Sequence, residues 1–424
     1  MRYYWCLLLF FLCSIGFGQS NGTSTVNDSI KKVELLKHLG NGYFPTKYFN
    51  FDLRYLIKYN QYEGFRTGLG GVTNQTFSDT FRIEGYGVYG FLDEAFKYSV
   101  GAGFRIAKQN NTWITLKYTD DLQETGSSSF LTDKRFFQFF EPRLINIEQF
   151  HRHISKSVSI EHQLTPNVLT ETRFAISKID PTYTYTFVHE ELGDYNNFDL
   201  TTGTLSAQWS PFSKFERTPN GIVELNQGFP KFTFQYTKSF NNLLNGEFSF
   251  SKLDFRAIQQ FNHKNESLTE IVITGGLADG DIPITHLYHA FPNNVNKETI
   301  LQRFSVAGNN SFETMYFGEF FSDTFVNFQL KHKFKYLEIS PWLKPQFTLI
   351  SRHAFGDMNH KERHQGLVFN TLKKGYSEIG LEINRLFFGF GLSFAYRYGA
   401  YHLTKFDDNF AFKFTFNIDI KNRK

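Results

Sequence analysis

Apolar and polar residues alternate along most of the chain with a period of two. From Tyr59 onward, segments of about ten residues carry apolar side chains at every second position, and turn residues separate the segments. This period is typical of β-strands, because successive side chains of a strand point to opposite faces of the sheet. The pattern predicts strands within 65–70, 81–84, 97–106, 114–118, 154–160, 168–179, 198–209, 232–238, 248–255, 268–277, 324–334, 346–353, 378–386, 390–398 and 410–420.

The clearest alternation of apolar and polar residues is near the C-terminal end of the chain. Its polar positions include Lys413, Thr415 and Asn417, and its other face is apolar throughout: Phe410, Phe412, Phe414, Phe416, Ile418 and Ile420. A sheet in lipid has to pair its last strand with its first, because an open edge would leave backbone groups without hydrogen bonds. We therefore expect 410–420 to be the strand that closes a barrel.

The composition favours a membrane-spanning barrel over a helical membrane protein. Aromatic residues make up 18% of the chain, with 52 Phe and 22 Tyr, yet the mean hydropathy is only -0.36. Beyond the N-terminus no segment approaches the roughly 18 consecutive apolar residues of a spanning helix. In a barrel, lipid-facing apolar residues alternate with lumen-facing polar ones, and aromatic girdles mark both interfaces. The fold class predicted is all-β, a transmembrane antiparallel β-barrel of about 14–16 strands.

The N-terminus has the features of an export signal. Arg2 is followed by an apolar run at 5–15 and then by small residues, which predicts a signal peptide over 1–18 with cleavage between Gly18 and Gln19. Residues 19–50 form a polar lead in which helical spacing after Asp28 predicts one short helix. The barrel is expected over 51–424.

Several classes of site are disfavoured. Both cysteines, Cys6 and Cys13, lie in the expected signal peptide, so the exported chain would have neither a disulfide nor a thiolate metal site. The formal net charge of +4 is small for this length and does not indicate a nucleic-acid partner. We expect no cofactor.

Alternation also predicts which charged residues face the lumen, and most of them are basic. Side chains of this kind favour anions if water fills the barrel. They form structural ion pairs if the barrel is plugged, and the sequence leaves both interpretations open. The expected lumen-facing residues are Arg66, Arg82, Glu84, Lys97, Arg105, Lys117, Lys331, Lys333, Glu378, Glu382, Arg397 and Lys413.

The connections between strands alternate in length, as they do on the periplasmic and external sides of such barrels. The long ones are expected at 120–151, 210–227, 278–310 and 355–374. The last of these, with the strand before it, holds His353, Asp357, His360 and His364. Their spacing matches no zinc motif, and they are interpreted as part of a solvated loop without a metal.

One pattern raises the possibility of catalysis. His153 and Ser155 share a strand face and Asn167 follows, which resembles the arrangement of outer-membrane phospholipases. Catalysis would require a nucleophile, a base and an orienting group in contact. Asn167 belongs to a turn, however, and the residue across the hairpin from Ser155 should lie near Ser177, so we expect no catalytic residues.

Three segments resemble a known family. YNQYEGFRTGLGGVTN at 59–74 and YGVYGFLDEAFKYSVGAGF at 86–104 resemble the barrel portion of a Bacteroidota outer-membrane family of unknown function, whose longer members carry an N-terminal carboxypeptidase-regulatory-like domain. SFETMYFGEFFSDTFVNFQLKHKF at 311–334 is similar to the late part of the same family. The family is distantly similar to the surface-antigen barrels of the outer-membrane assembly superfamily, although this chain has no Arg-Gly-Phe or Arg-Gly-Tyr loop tip. The resemblance implies a location in outer-membrane lipid and contact with the barrel assembly machinery during biogenesis.

Together these patterns predict a non-enzymatic barrel in the outer membrane of a Gram-negative bacterium, which serves in passage, assembly or surface attachment. Porin-like and surface-antigen-like roles both fit this description, and no partner protein is indicated. A TonB-dependent transporter is excluded by size, because its barrel and plug need a longer chain. The alternatives are an outer-membrane lipid hydrolase and a soluble, secreted, β-rich binding protein.

Overall fold

The computed structural model describes residues 42–131, 142–189, 191, 193–218, 221–340, 343–387 and 389–416. The expected cleavage site at Gly18 and Gln19, the helix expected after Asp28, and the last two residues of the apolar face, Ile418 and Ile420, lie outside these ranges. None of the helices in the described ranges is both long and apolar enough to span a membrane.

The described residues are predominantly β-strand. The strands, in chain order, are β1 (Tyr43–Pro45), β2 (Phe49–Asp52), β3 (Ile57–Asn60), β4 (Gly64–Thr73), β5 (Phe81–Gly90), β6 (Phe96–Ala107), β7 (Thr112–Glu124), β8 (Phe150–Thr165), β9 (Val168–Pro181), β10 (Thr186–His189), β11 (Gly193–Tyr195), β12 (Phe198–Trp209), β13 (Lys214–Thr218), β14 (Gly221–Asn226), β15 (Lys231–Ser239), β16 (Phe250–Asn262), β17 (Leu268–Gly280), β18 (Pro292–Asn294), β19 (Phe312–Tyr316), β20 (Thr324–Lys333), β21 (Gln346–Asp357), β22 (His364–Gln365), β23 (Tyr376–Phe387), β24 (Phe390–Tyr398) and β25 (Phe410–Phe416). The sheet begins at Tyr43, before the boundary expected at residue 51.

One large antiparallel sheet contains 18 of these segments. Short β2 and β3 pair with opposite ends of β4 and together make one barrel strand, and β1 pairs with β2. From β4 the pairing continues through β5, β6, β7, β8, β9, β12, β15, β16, β17, β20, β21, β23, β24 and β25. This up-and-down order gives sixteen barrel strands and confirms the predicted fold class.

The two ends of the barrel differ in the length of their connections. At one end, here called the short-turn end, the connections include 74–80, 108–111 and 166–167; at the other, the long-connection end, they include 125–149, 182–197, 281–323 and 358–375. Three of the four long connections predicted from the sequence, at 120–151, 278–310 and 355–374, lie at the long-connection end. Residues 210–227 lie instead at the short-turn end, where β13 and β14 form a hairpin, because consecutive antiparallel strands place successive connections at alternate ends.

The exposure of side chains is the reverse of that in a water-soluble protein. Along β6 most apolar side chains are exposed, whereas the polar and small residues between them are buried. The exposed residues are Phe96, Tyr98, Val100, Phe104 and Ile106. The buried residues are Lys97, Ser99, Gly101, Gly103 and Arg105. A soluble sheet would bury its apolar face, whereas a sheet in lipid presents it outward. The arrangement fits a barrel with hydrocarbon around it.

The last described strand follows the same rule. In β25 the Phe side chains stay partly or well exposed, while Ala411, Lys413 and Thr415 are buried. Aromatic pairs extend this outer face onto the neighbouring strand, since Phe394 stacks on Phe412 and Phe390 contacts Phe416. The apolar face read from the sequence at Phe410, Phe412, Phe414 and Phe416 is therefore the outer face of the sheet.

The aromatic core lies at the long-connection end. Buried residues of several connections pack there against the ends of β9, β12, β16 and β17, and they include Tyr185, Phe187, Phe248, Tyr288 and Phe321. Short β10, β11 and β22 form a small separate sheet over this core. The connections thereby hold one another in place above the barrel.

A charge on the outer face tests the membrane orientation of the barrel. Val100 lies near the middle of β6 and is 54% exposed. We expect Val100→Arg to lower the free energy of unfolding by about 2–4 kcal/mol, because an arginine near the midplane of a bilayer has to be desolvated. Guanidinium titration of the protein folded into phospholipid vesicles measures this change. Gln109→Arg, in the exposed turn at 108–111, is the matched control, and an equal effect of the two substitutions would contradict the orientation.

Candidate functional site: a connection inside the barrel

The connection at 281–323 enters the barrel and fills part of its lumen. It contains β18 and β19, which pair in parallel, and the residues of both are almost fully buried. Asn293, Phe312 and Thr314 are 0% exposed. β19 contacts β24 and β25 on their inner side. The interior is therefore packed with this connection on the side of the last barrel strands.

A buried carboxylate on β23 holds β19 by its backbone. Glu378 accepts hydrogen bonds from the backbone N–H groups of Glu313, at 3.1 Å, and Thr314, at 2.7 Å, and from the Thr314 hydroxyl at 2.6 Å. Its other partner is Arg352 of β21, whose Nη1 lies 2.6 Å from Glu378 Oε1. Both side chains are at most 2% exposed. Charge-assisted hydrogen bonds of this kind are short and strong, so they anchor the connection to two barrel strands.

A second buried pair lies on the last strand. The Nζ of Lys413 is 3.2 Å from Glu313 Oε2, and each side chain is 1% exposed. Glu313 also accepts hydrogen bonds from the Asn293 amide, the Ser311 hydroxyl and the Gly308 backbone N–H. Lys413 in turn donates to the Asn293 carbonyl. These contacts join both ends of the inserted segment to β25.

Further ion pairs surround the same connection. Arg397 of β24 binds Glu319 at 2.6 Å, and Arg303 binds Asp408 at 2.9 Å. Each arginine is at most 4% exposed. Because a buried charge is tolerated only when it is paired and hydrogen-bonded, these pairs fix the connection in one position.

At the long-connection end a carboxylate of β7 links two connections. Arg143 and His289 both bind the Glu124 carboxylate, His289 through Nε2 at 2.7 Å. The His289 Nδ1 accepts the Phe291 backbone N–H at 3.0 Å, so Nε2 carries the proton and donates it to Glu124. Burial lowers the pKa of His289, which favours this neutral form.

The inserted connection also reaches the edge of the last strand. The Ala307 backbone N–H donates to the Phe414 carbonyl at 2.7 Å, and the Phe414 N–H donates to the Ser305 carbonyl at 2.8 Å. On the outer face, the Phe304 ring lies 5.0 Å from that of Phe412 and 4.4 Å from that of Phe414. Residues 304–307 thus act as a short parallel strand beside β25. Among the described residues this segment, and not the first barrel strand, pairs with the outer edge of β25, so the expected closure of the last strand against the first stays a prediction.

The structure buries eight of the twelve residues expected in the lumen: Arg66, Lys97, Arg105, Lys331, Glu378, Glu382, Arg397 and Lys413. Beyond the pairs above, Arg66 binds Asp121 and Lys97 binds Glu63. Arg105 lies 5.8 Å from the Trp113 ring. The structure brings these residues into several separate contacts and not into a single site.

The remaining four of the twelve are less enclosed. Arg82, Glu84 and Lys117 form a chain of contacts across β5 and β7, with side chains 31%, 27% and 39% exposed. Lys333 lines a polar cavity at the short-turn end together with Lys331 and Glu382. Among the described residues, Arg82, Glu84 and Lys117 are therefore less enclosed than the ion pairs beside β21 to β25.

The candidate catalytic residues are not hydrogen-bonded to each other. The Ser155 hydroxyl is buried and has no hydrogen-bond partner among the described residues, so it is not hydrogen-bonded to His153. The Asn167 amide donates to the Pro211 carbonyl, in the turn where the sequence places it. Ser155 lies opposite Ser177 in the ladder of β8 and β9, as the register read from the sequence requires.

The histidines near residue 360 do not converge. The His353 ring is hydrogen-bonded to the Ser351 and Ser377 hydroxyls, at 3.0 Å each, and His364 is bonded to the Tyr185 hydroxyl. Across the described part of the chain, no group of three or more His, Cys, Asp or Glu side chains is arranged to hold a metal ion.

Sequence reasoning missed the partners that the connections supply. Glu313, Glu319 and Glu124 gave no periodic signal that could assign them to the lumen. Arg352 could have been found, because it shares the inner face of β21 with Ile350 and Ala354. An arginine flanked by buried apolar residues requires a carboxylate partner.

Comparison with known proteins assigns the chain to a family. The model for the C-terminal domain of a family of unknown function, DUF5686, matches residues 40–340. The chain belongs to this family. The match includes all three segments on which the resemblance was based, and it confirms that resemblance. It also covers β1 to β20 of the DUF5686 barrel and the inserted connection.

A solved barrel shares the fold of this DUF5686 chain. The crystal structure of BamA from Haemophilus ducreyi lacking POTRA domains 1-3 superposes with a TM-score of 0.51 at 9% sequence identity. The alignment covers 94% of this chain and 79% of that chain. The distant similarity to outer-membrane assembly barrels is thereby confirmed for the fold. No curated protein matches the chain.

Removing the central carboxylate tests the attachment of the connection. Glu378→Ala leaves Arg352 buried without its partner and two backbone N–H groups of β19 without an acceptor. We expect a loss of about 3–5 kcal/mol in the free energy of unfolding, as for other broken buried pairs. Denaturant titration in lipid vesicles measures it. Glu362→Ala is the matched control, and we expect it to change the free energy of unfolding little, since the Glu362 side chain is 73% exposed. An equally small change for Glu378→Ala would contradict the role assigned to Glu378.

Proposed function

We propose that this DUF5686 protein is a non-enzymatic barrel in the outer membrane of a Gram-negative bacterium, and that it serves in assembly or surface attachment and not in passage through its lumen. The observation that carries the proposal is the connection at 281–323, held inside the barrel by buried ion pairs. An open pore needs a continuous water-filled interior. Here the interior beside β21, β23, β24 and β25 is occupied by the chain itself.

The exposed apolar face supports the membrane location. Apolar side chains well exposed on successive strands include Leu69 of β4, Leu116 of β7 and Leu205 of β12. Such a surface would aggregate in water, since soluble proteins rarely expose large apolar areas. It supports the outer membrane over the alternative of a soluble, secreted β-rich binding protein. The partners proposed are outer-membrane lipid and, during biogenesis, the barrel assembly machinery.

The absence of an enzymatic role is part of the proposal. In the described region the Ser155 hydroxyl is not hydrogen-bonded to a base. Ser351 is hydrogen-bonded to His353 on the outer face, but it lies within the ladders that join β21 to β20 and β23. Backbone N–H groups used in such ladders are not available to stabilise an oxyanion. Neither serine therefore has the surroundings that ester hydrolysis requires.

The conductance of the purified protein tests the closed lumen. We expect no stable unitary current steps after its insertion into planar lipid bilayers. A variant in which a short Gly-Ser linker replaces residues 292–316 lacks β18, β19 and Glu313, and it is expected to conduct. Retention of compact, heat-modifiable migration on gels serves as the folding control for both proteins. Steady channels formed by the unaltered protein would contradict the proposal and favour a role in passage.

A further inference from the structure

One enclosed arginine of the lumen has no counter-charge in the described part of the chain. Arg105 of β6 is 8% exposed, and its Nε and Nη2 atoms are buried without a hydrogen-bond partner among the described residues. It forms no ion pair within the described ranges either. Its guanidinium carbon lies 5.8 Å from the centroid of the Trp113 ring. Because a buried charge is costly unless it is paired and hydrogen-bonded, this guanidinium calls for an anion from outside the chain.

The neighbouring cations of the inner face do have partners. Lys97, on the same face of β6 as Arg105, binds Glu63 at 2.8 Å. Arg66 of β4 binds Asp121 at 2.7 Å. The lack of a carboxylate at Arg105 is therefore a local feature and not a general property of these strands.

A second arginine lies against the same indole ring. The guanidinium carbon of Arg82 is 4.4 Å from the centroid of the Trp113 ring, and its Nη2 donates to the Thr115 hydroxyl at 3.2 Å. Gly103 leaves room for this side chain, because a Cβ atom at Gly103 would lie 2.8 Å from Arg82 Nε. The Trp113 Nε1 donates to the Asn111 side chain at 3.0 Å, which orients the ring. Two guanidinium groups are thus held beside one aromatic ring.

Cations outnumber carboxylates on the inner face of β5 to β8 at the short-turn end. Arg82 and Lys117 share the Glu84 carboxylate, at 3.9 Å and 3.2 Å, so it already faces two cations. Glu161 of β8 forms neither an ion pair nor a hydrogen bond with another described side chain. With Arg105, three cations stand against these two carboxylates. An anionic ligand would balance the excess.

Water reaches this part of the lumen. The side chains of Arg82, Glu84 and Lys117 face inward and are nevertheless 31%, 27% and 39% exposed. Arg82, Arg105 and Trp113 each lie within three residues of the short-turn end of their strand. A soluble ligand therefore has access from that end, and it needs no path through the barrel.

We propose that Arg105 and Arg82, beside Trp113, bind a phosphate group. Guanidinium groups bind phosphate oxygens through pairs of N–H donors, and the Lys117 ammonium adds a further positive charge. The negative charge of a phosphate group exceeds that of one carboxylate, so it suits a site with several cations. The group is either free phosphate or the monoester of a small soluble compound. The site does not depend on the proposed function.

Calorimetric titration of the detergent-solubilised full chain, in phosphate-free buffer at constant ionic strength, tests the proposal. The probes are inorganic phosphate, glycerol phosphate and acetate, each used separately. We expect one site per chain for at least one of the two phosphate probes. Tighter binding of inorganic phosphate identifies the free anion as the ligand, and tighter binding of glycerol phosphate identifies a monoester. Failure of both, or equally tight binding of acetate, overturns the proposal.

Matched variants assign the binding to the two arginines. Arg105→Gln and Arg82→Gln each remove one guanidinium, and each is expected to weaken phosphate binding about tenfold, in proportion to one charge-assisted hydrogen bond. Arg152→Gln is the control, since Arg152 is 54% exposed and paired with Asp120. Heat-modifiable migration on gels shows that each variant is folded. Equal weakening by the control, or no weakening by Arg105→Gln, overturns the proposal.

The stability of Arg105→Gln separates a ligand-binding role from a structural one. Without phosphate, we expect the variant to unfold at no lower denaturant concentration than the unaltered protein, because it loses a buried charge that has no partner. Added phosphate is expected to raise the unfolding midpoint of the unaltered protein and not that of the variant. A variant that is less stable in phosphate-free buffer, and equally stabilised by phosphate, would show that Arg105 serves the fold alone and would overturn the proposal.

Discussion

Every backbone N–H and C=O group inside a bilayer needs a partner from the chain itself, and this constraint shapes the whole molecule. Antiparallel ladders between neighbouring strands meet it along the sheet, and residues 304–307 pair with the outer edge of β25. Once the backbone is paired in this way, the alternation of side chains leaves one face for lipid and one for the interior. The outer face of β6 is apolar, and its inner face carries Lys97 and Arg105. The polar interior is thus a direct consequence of the sheet's period.

A polar interior has its own requirement, because charged groups shielded from water have to find partners. The inserted connection meets it for the last barrel strands. Glu378 has two roles in these contacts. Its carboxylate neutralises Arg352, and it also accepts hydrogen bonds from two backbone N–H groups of β19. Those N–H groups would otherwise lie unpaired inside the barrel. The same contact therefore stabilises a charge of the barrel and the backbone of the connection.

The sequence predicted the parts of the fold that depend on local periodicity. The strands, the outer position of Phe412 and Phe414, and the charged residues of the inner faces all follow from the period of two. The entry of 281–323 into the lumen could not be predicted in this way, because its contacts are long-range and its segments are irregular. Lys413 illustrates the difference: alternation places it on the inner face, but nothing local indicates that its partner is Glu313. The likeness of His153 and Ser155 to a catalytic pair has a related limit, since a shared strand face does not by itself place two side chains in hydrogen-bonding contact.

The inserted connection is attached to one group of neighbouring strands. The connection is bound to β21, β23, β24 and β25 through Arg352, Glu378, Arg397 and Lys413, and residues 304–307 pair with the edge of β25. Beside β5 and β7 the interior charges contact one another and remain partly exposed. A displacement of the β25 edge would therefore pull on Ser305 and Ala307, and through them on the Glu313–Lys413 pair. The last strands and the inserted connection form one unit, because the connection that carries Glu313 and Glu319 also borders the final strand.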